Sequence, residues 1–272
     1  MTARALRLFL TAAACLFLVL PLLVIIPVSF SDSPYLAFPP PAYSLRWYHD
    51  FFTSEAWIGA LVESLKIGVM VGILATVLAY LVAVALTQDL VPFGLGGAIR
   101  GVLLFPLIIP VIVIAIAVYG FYADLKLVGT RLGIVMAHTV LALPVAYIIL
   151  EARLTGLGRV LTLASESLGA TWWQTTWHVT LPLVRPAFFA AFLFAFFTSF
   201  DEAVIVNFIG GTQAVTLPKL MFSYLRTELQ PTVASAATLL VAIWIVGFIL
   251  FEAGLAWRKR SLARAGDARA AE

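Results

Sequence analysis

The chain has 272 residues, of which 62% are hydrophobic and 11% charged, with a net charge of +3 and a pI near 9.1. Soluble domains carry about 25% charged residues, so this composition excludes a water-soluble globular protein and leaves little sequence for an independent soluble domain. The basic excess does not point to nucleic acid, because the arginines and lysines fall at the ends of apolar runs, where membrane topology accounts for them.

Six apolar segments follow in chain order, at residues 8–30, 59–86, 101–122, 132–150, 187–209 and 233–257. Each approaches or exceeds the roughly 20 apolar residues that cross a bilayer as a helix. They lack the alternation of a barrel, and lipid requires backbone hydrogen bonds to close within each segment. The expected class is therefore all-α, an integral membrane protein of six transmembrane helices forming one domain over 1–272.

The first segment begins like a signal peptide, with Arg4 and Arg7 before an apolar stretch. Its apolar run continues to Phe30, beyond the roughly 7–15 residues of a cleaved core, so it is read as a retained span. The single cysteine, Cys15, lies within it and rules out an intrachain disulfide or a cysteine-pair metal site. Pro21, Pro106, Pro110 and Pro144 fall inside spans and are expected to kink rather than break them.

Basic residues orient the spans. With the N-terminus in the cytoplasm, eleven of the 17 lysines and arginines face inward and five outward, with Lys66 inside a span. Both termini are then cytoplasmic, and the basic tail "WRKRSLARAGDARAAE" is expected to stop the last span near 257 and fray. The outer loop 31–58 opens with Pro39–Pro41, which disfavour helix, and continues into a helical stretch bearing Trp47, Tyr48, Phe51 and Phe52. These aromatics either anchor the interface or dock an external partner.

Few charges enter the spans. Glu63 and Lys66 are spaced to pair at i,i+3, and Glu252 is near enough to the terminal arginines to meet them by snorkelling. His138 is expected to be a packed hydrogen-bonding group, and no His/Cys/carboxylate spacing suits a metal. Asp201 and Glu202 fall within the fifth span, where a carboxylate costs about 2.5–3.5 kcal/mol, so one is expected to face a cavity or a partner. With Asn207 they are candidates for a cation-attracting translocation path; the alternative is a packing role.

The cytoplasmic loop 151–186 is patterned. Leu157, Val160, Leu161, Ala164 and Leu168 recur at helical spacing, and Gly169 then falls where a left-handed cap favours glycine. Thr171 and Gln174 form a capping-box pattern opening a second short helix with Trp172, Trp173 and Trp177, which Pro182 is expected to end. Two short helices joined at a glycine suit docking to a cytoplasmic partner, although Trp172 and Trp173 also fit headgroup anchoring.

The stretch "LASESLGATWWQTTWHVTLPLVRP" at 163–186 resembles the signature loop of permeases from binding-protein-dependent ABC importers. That loop runs Glu-Ala-Ala, three residues, Gly, nine residues, Ile, one residue, Leu-Pro. Gly169, Val179, Leu181 and Pro182 match its spacing, while Leu163 stands at the acidic position. "SLRWYHDFF", "TSFDEAVIVNFIGG" and "TLPKLMFSYLRTELQPTVASAATLL" extend the resemblance to the polyamine branch.

The resemblance implies a MetI-like permease fold in the bacterial inner membrane, with Ala164, Ser165, Glu166, Leu168, Gly169 and Ala170 coupling to a separate ATPase. It implies as partners two cytoplasmic ATPase subunits, a second permease and an external solute-binding protein, alongside membrane lipid, with putrescine or spermidine as cargo. The chain carries no phosphate-binding loop of its own, so no cofactor is expected here and ATP is bound by the partner. The competing classes are a self-contained secondary transporter or channel, which needs its own ion-coupling site, and an intramembrane enzyme, which needs a catalytic constellation.

Overall fold

A computed structural model describes residues 3–270 except Asp89, Arg159, Thr212, Gln213, Glu228 and Leu229, and the side chains of residues 3, 250–252 and 255–270 lie outside the description. The pairing expected for Glu252 is among the latter. The described residues form twelve α-helices: α1 (Ala3–Ser29), α2 (Arg46–Thr53), α3 (Glu55–Thr87), α4 (Gly96–Leu104), α5 (Val111–Asp124), α6 (Arg131–Leu157), α7 (Val160–Ser167), α8 (Trp172–Thr175), α9 (Leu181–Phe200), α10 (Val204–Ile209), α11 (Leu217–Thr227) and α12 (Thr232–Ala270). Among the described residues five helical segments are long and apolar enough to cross a membrane, and there are six when the bent pair 96–107 and 111–124 is counted as one broken span.

The chain forms two compact units, Met1–Glu55 with Ser223–Glu272, and Ala56–Phe222. In the first, α1 meets α12 through the Ser235 hydroxyl, which donates to the Ser29 carbonyl at 3.1 Å. Ser29 Oγ lies 2.7 Å from the Tyr48 hydroxyl on α2, and Phe30 packs on Tyr48 with ring centroids 4.9 Å apart. The aromatic stretch of the outer loop is thus helical, with Trp47 and Phe51 buried and Phe52 exposed. Cys15 is exposed on α1, as a lipid-facing residue would be. The last helix continues to Ala270 instead of stopping near 257.

In the second unit, α3, α6 and α9 make the core. Small residues on α3 let α9 approach: a Cβ on Gly68 would lie 2.8 Å from the Phe196 ring, and one on Gly72 2.8 Å from the Phe192 ring. His138 on α6 is fully buried and places Nδ1 2.8 Å from the Ser199 hydroxyl on α9, the hydrogen-bonding role expected of it. Near the start of α6, Arg131 donates twice to the Glu63 carboxylate, at 2.6 and 2.8 Å. Glu63 therefore pairs across helices and not with Lys66, because a guanidinium fork matches both carboxylate oxygens while an ammonium offers a single point charge. Beside this pair the Leu217 amide donates to Ser64 Oγ at 2.8 Å, and the Gly129 amide to the Ile209 carbonyl at 2.7 Å.

Three proline and helix-end expectations change. The helices continue through Pro21 and Pro144, as α1 does through Pro27. Pro106 and Pro110, one turn apart, instead break the third span, leaving a 3-10 turn at Phe105–Leu107 and a 104° bend. Each lacks an N–H and clashes with the carbonyl four residues back, and two successive defects exceed what one helix absorbs. The fifth span also breaks: α9 ends at Phe200 and α10 begins at Val204, so Asp201 and Glu202 occupy a non-helical joint. Pro182 does not end a helix. It lies in the first turn of α9, where a missing N–H is tolerated, and residues 172–200 run on as one apolar segment.

Candidate coupling site

α7 closes on a glycine turn whose geometry follows from local hydrogen bonds. The Gly169 amide donates to the Glu166 carbonyl at 2.9 Å and the Ala170 amide to the Ser165 carbonyl at 3.0 Å, with Gly169 at φ +83°. These are the two bonds of a Schellman cap, which needs a left-handed residue at this position. Thr171 then opens α8: its hydroxyl accepts from the Gln174 amide while the Gln174 side chain accepts from the Thr171 amide. The capping box read from the sequence is present.

A third bond joins the two helices. Ser165 Oγ donates to the Thr162 carbonyl and lies 2.8 Å from the buried Thr175 hydroxyl of α8. Ser165 thus faces inward and sets the angle between α7 and α8, while Ala164, Glu166, Leu168 and Gly169 face outward and Ala170 is half-buried. Leu168 is 89% exposed, and Val160, Leu163, Trp173 and Trp177 are exposed as well.

The sequence did not reveal how this element is tied to the spans. The Trp172 indole donates to the Gln88 side chain, just past α3, at 3.1 Å. The Arg153 guanidinium on α6 donates to the Leu183 carbonyl in the first turn of α9, at 3.1 and 3.3 Å. Arg100, bonded to Tyr147 and Glu151, lies beside a cavity of about 280 Å³ that Thr87, Gln88, Thr155, Thr162 and Thr180 also line. The only hint was polar residues at span ends, and their partners lie 30 to 84 positions away.

The three residues named for a solute path are not equivalent. Asp201 is exposed at the joint between α9 and α10. Glu202 turns inward and its carboxylate accepts from the Ile205 amide at 2.8 Å, capping α10. The Asn207 amide donates to the Ala203 carbonyl one turn back, at 2.8 Å. Beyond the joint, Lys219 donates to the Gly211 carbonyl, and burial holds its pKa below the usual lysine value.

Residues 76–253, from mid-α3 into α12 and including the whole α7–α8 element, match the family described as binding-protein-dependent transport system inner membrane component. The chain belongs to this family. It is a transport permease subunit, a multi-pass membrane component, and not an enzyme. Among similar permeases, the putrescine transport system permease protein PotI of Escherichia coli is 30% identical over 86% of this chain and 85% of its own length. The spermidine/putrescine transport system permease protein PotC of Haemophilus influenzae is 27% identical over 86% and 90%. One solved chain belongs to a bacterial ABC transporter involved in the import of the acidic polysaccharide alginate. It shares the permease fold at a TM-score of 0.66 and 14% identity, over 93% of this chain and 98% of that one.

Proposed function

We propose that this permease forms part of the path of an ATP-driven importer of polyamines, and that α7 and α8 are its contact with a separate ATPase subunit. The observation that carries the reading is the capped, outward-facing α7–α8 element, which runs without interruption into the membrane-crossing α9. A push on that surface reaches a span through the five residues 176–180, and a partner able to favour one conformation must make different contacts in each. Ala164, Glu166, Leu168 and Gly169 present the surface, Ser165 holds its shape, and Ala170 closes the turn.

Both termini lie in the cytoplasm in this reading, supported by the inward excess of basic residues and by Arg100, which lines a cavity with Leu161 and Thr162 of α7. A second permease completes the path, and an external binding protein delivers solute to the opposite end. Putrescine or spermidine is the favoured cargo because similar permeases carry those names and because Asp201 presents a carboxylate at a break between helices. Carboxylates at membrane depth belong beside cavities and cationic partners.

Co-purification tests the docking claim. The tagged chain brings down an ATPase subunit, and Leu168→Glu, which puts a charge on the most exposed apolar residue of the surface, abolishes the association while leaving the permease in the membrane. Undiminished association of the Leu168→Glu variant would remove α7 as the contact.

A further inference from the structure

The link between α8 and α9 is not an ordinary helical turn. Residues Thr176–Thr180 are π-helical: the Leu181 amide donates to the Thr176 carbonyl five residues back. Pro182 explains why such a turn is tolerated, since it has no N–H to offer the His178 carbonyl four residues back. A π turn holds one residue more than an α turn. Exchange between the two forms turns the flanking helices relative to each other by about 100° and shifts them by about 1.5 Å.

The two sides of this turn are held by different helices. On the α8 side the Trp172 indole is bonded to Gln88 at the end of α3, and on the α9 side the Leu183 carbonyl is bonded to Arg153 of α6. Between the two anchors, Val179, Thr180 and Leu183 border the 280 Å³ cavity, so the turn has open space beside it and not packed side chains on every face. His178 and Trp177 point outward.

We propose that the Thr176–Thr180 π turn is the hinge through which the docking element drives the membrane segments, and that Trp172 and Arg153 are positioning residues that hold its two sides. This rests on the docking role proposed above. The anchors convert a rotation within the turn into a displacement of α3 against α6, instead of letting it dissipate as free swivelling of α8.

The test uses the assembled transporter in proteoliposomes, reading putrescine imported per ATP hydrolysed. Deleting His178 removes the extra residue and no core contact, and converts the π turn to a regular α turn. ATP hydrolysis continues, and uptake per ATP falls about fivefold or more, the low end of ordinary coupling between sites. Trp172→Phe keeps the ring and loses the donor, Gln88→Ala loses the acceptor, and each lowers the ratio; the double variant falls no further than either alone. Arg153→Lys retains more coupling than Arg153→Gln.

An unchanged ratio in the His178 deletion overturns the hinge. Should that variant fail to assemble, the Trp172 and Gln88 pair decides: an unchanged ratio, or additive losses in the double variant, overturns it equally. If the unaltered transporter shows no ATP-dependent uptake at all, the proposed function itself is wrong, an outcome distinct from failure of the hinge.

Discussion

Gly169 offers the sharpest quantitative expectation. Its φ of +83° is left-handed, and a Cβ built there meets nothing within 4 Å, so substitution is opposed by backbone conformation alone and not by crowding. A non-glycine residue pays about 1–2 kcal/mol in this region. The two Schellman bonds that the turn secures contribute about 0.5–1.5 kcal/mol each. Gly169→Ala therefore offsets much of what the two cap bonds contribute, and at about 1.4 kcal/mol the ratio of closed to open turn falls about tenfold.

Asparagine enters the left-handed region more readily than alanine does, so Gly169→Asn should retain more function than Gly169→Ala even though it is larger. Gly169→Leu should behave as Ala or worse. The assay is solute imported per ATP in reconstituted transporter, alongside a check that each variant reaches the membrane at the normal level. Equal coupling in the Ala and Asn variants, or full coupling in Ala, would refute the claim that the backbone angle matters.

Three further outcomes follow from the packing and the joint. Gly72→Val drives a side chain into the Phe192 ring and should lower thermal stability by about 1–3 kcal/mol, with part recovered by adding Phe192→Ala; denaturation in detergent reads both. A double-mutant cycle on His138 and Ser199 should give a coupling of about 0.6–1.7 kcal/mol, the range for hydrogen bonds between membrane helices, and a value near zero would show that their bond contributes nothing. Asp201→Asn should reduce uptake of a cationic solute without altering its affinity for the binding protein, whereas Glu202→Gln should act mainly on stability because that carboxylate caps α10.

What the sequence made legible were features encoded within a few residues. The glycine cap, the capping box and the apolar surface of α7 each depend on neighbours no more than five positions apart. Most span positions were accessible because hydropathy needs only a running average, but the fifth runs over 172–200 and not the expected 187–209. The missed features depend on backbone geometry inside an apolar run or on distant partners. Hydropathy cannot distinguish a continuous helix from the 104° bend at Pro106 and Pro110, nor detect the joint at Asp201 and Glu202. The π turn was hidden because Pro182 reads locally as a terminator, while three-dimensional continuity with α9 turns it into a first-turn proline. Glu63 found Arg131, 68 positions away, where local spacing offered Lys66.

The central claim is that this permease imports a polyamine using ATP hydrolysed by a partner that grips α7 and α8. The most direct measurement is uptake of labelled putrescine into proteoliposomes containing the permease pair, the ATPase subunits and the binding protein. Uptake should require ATP and the binding protein, and should be lost with Leu168→Glu. Uptake by this chain alone, driven by an ion gradient without ATP, would contradict the account.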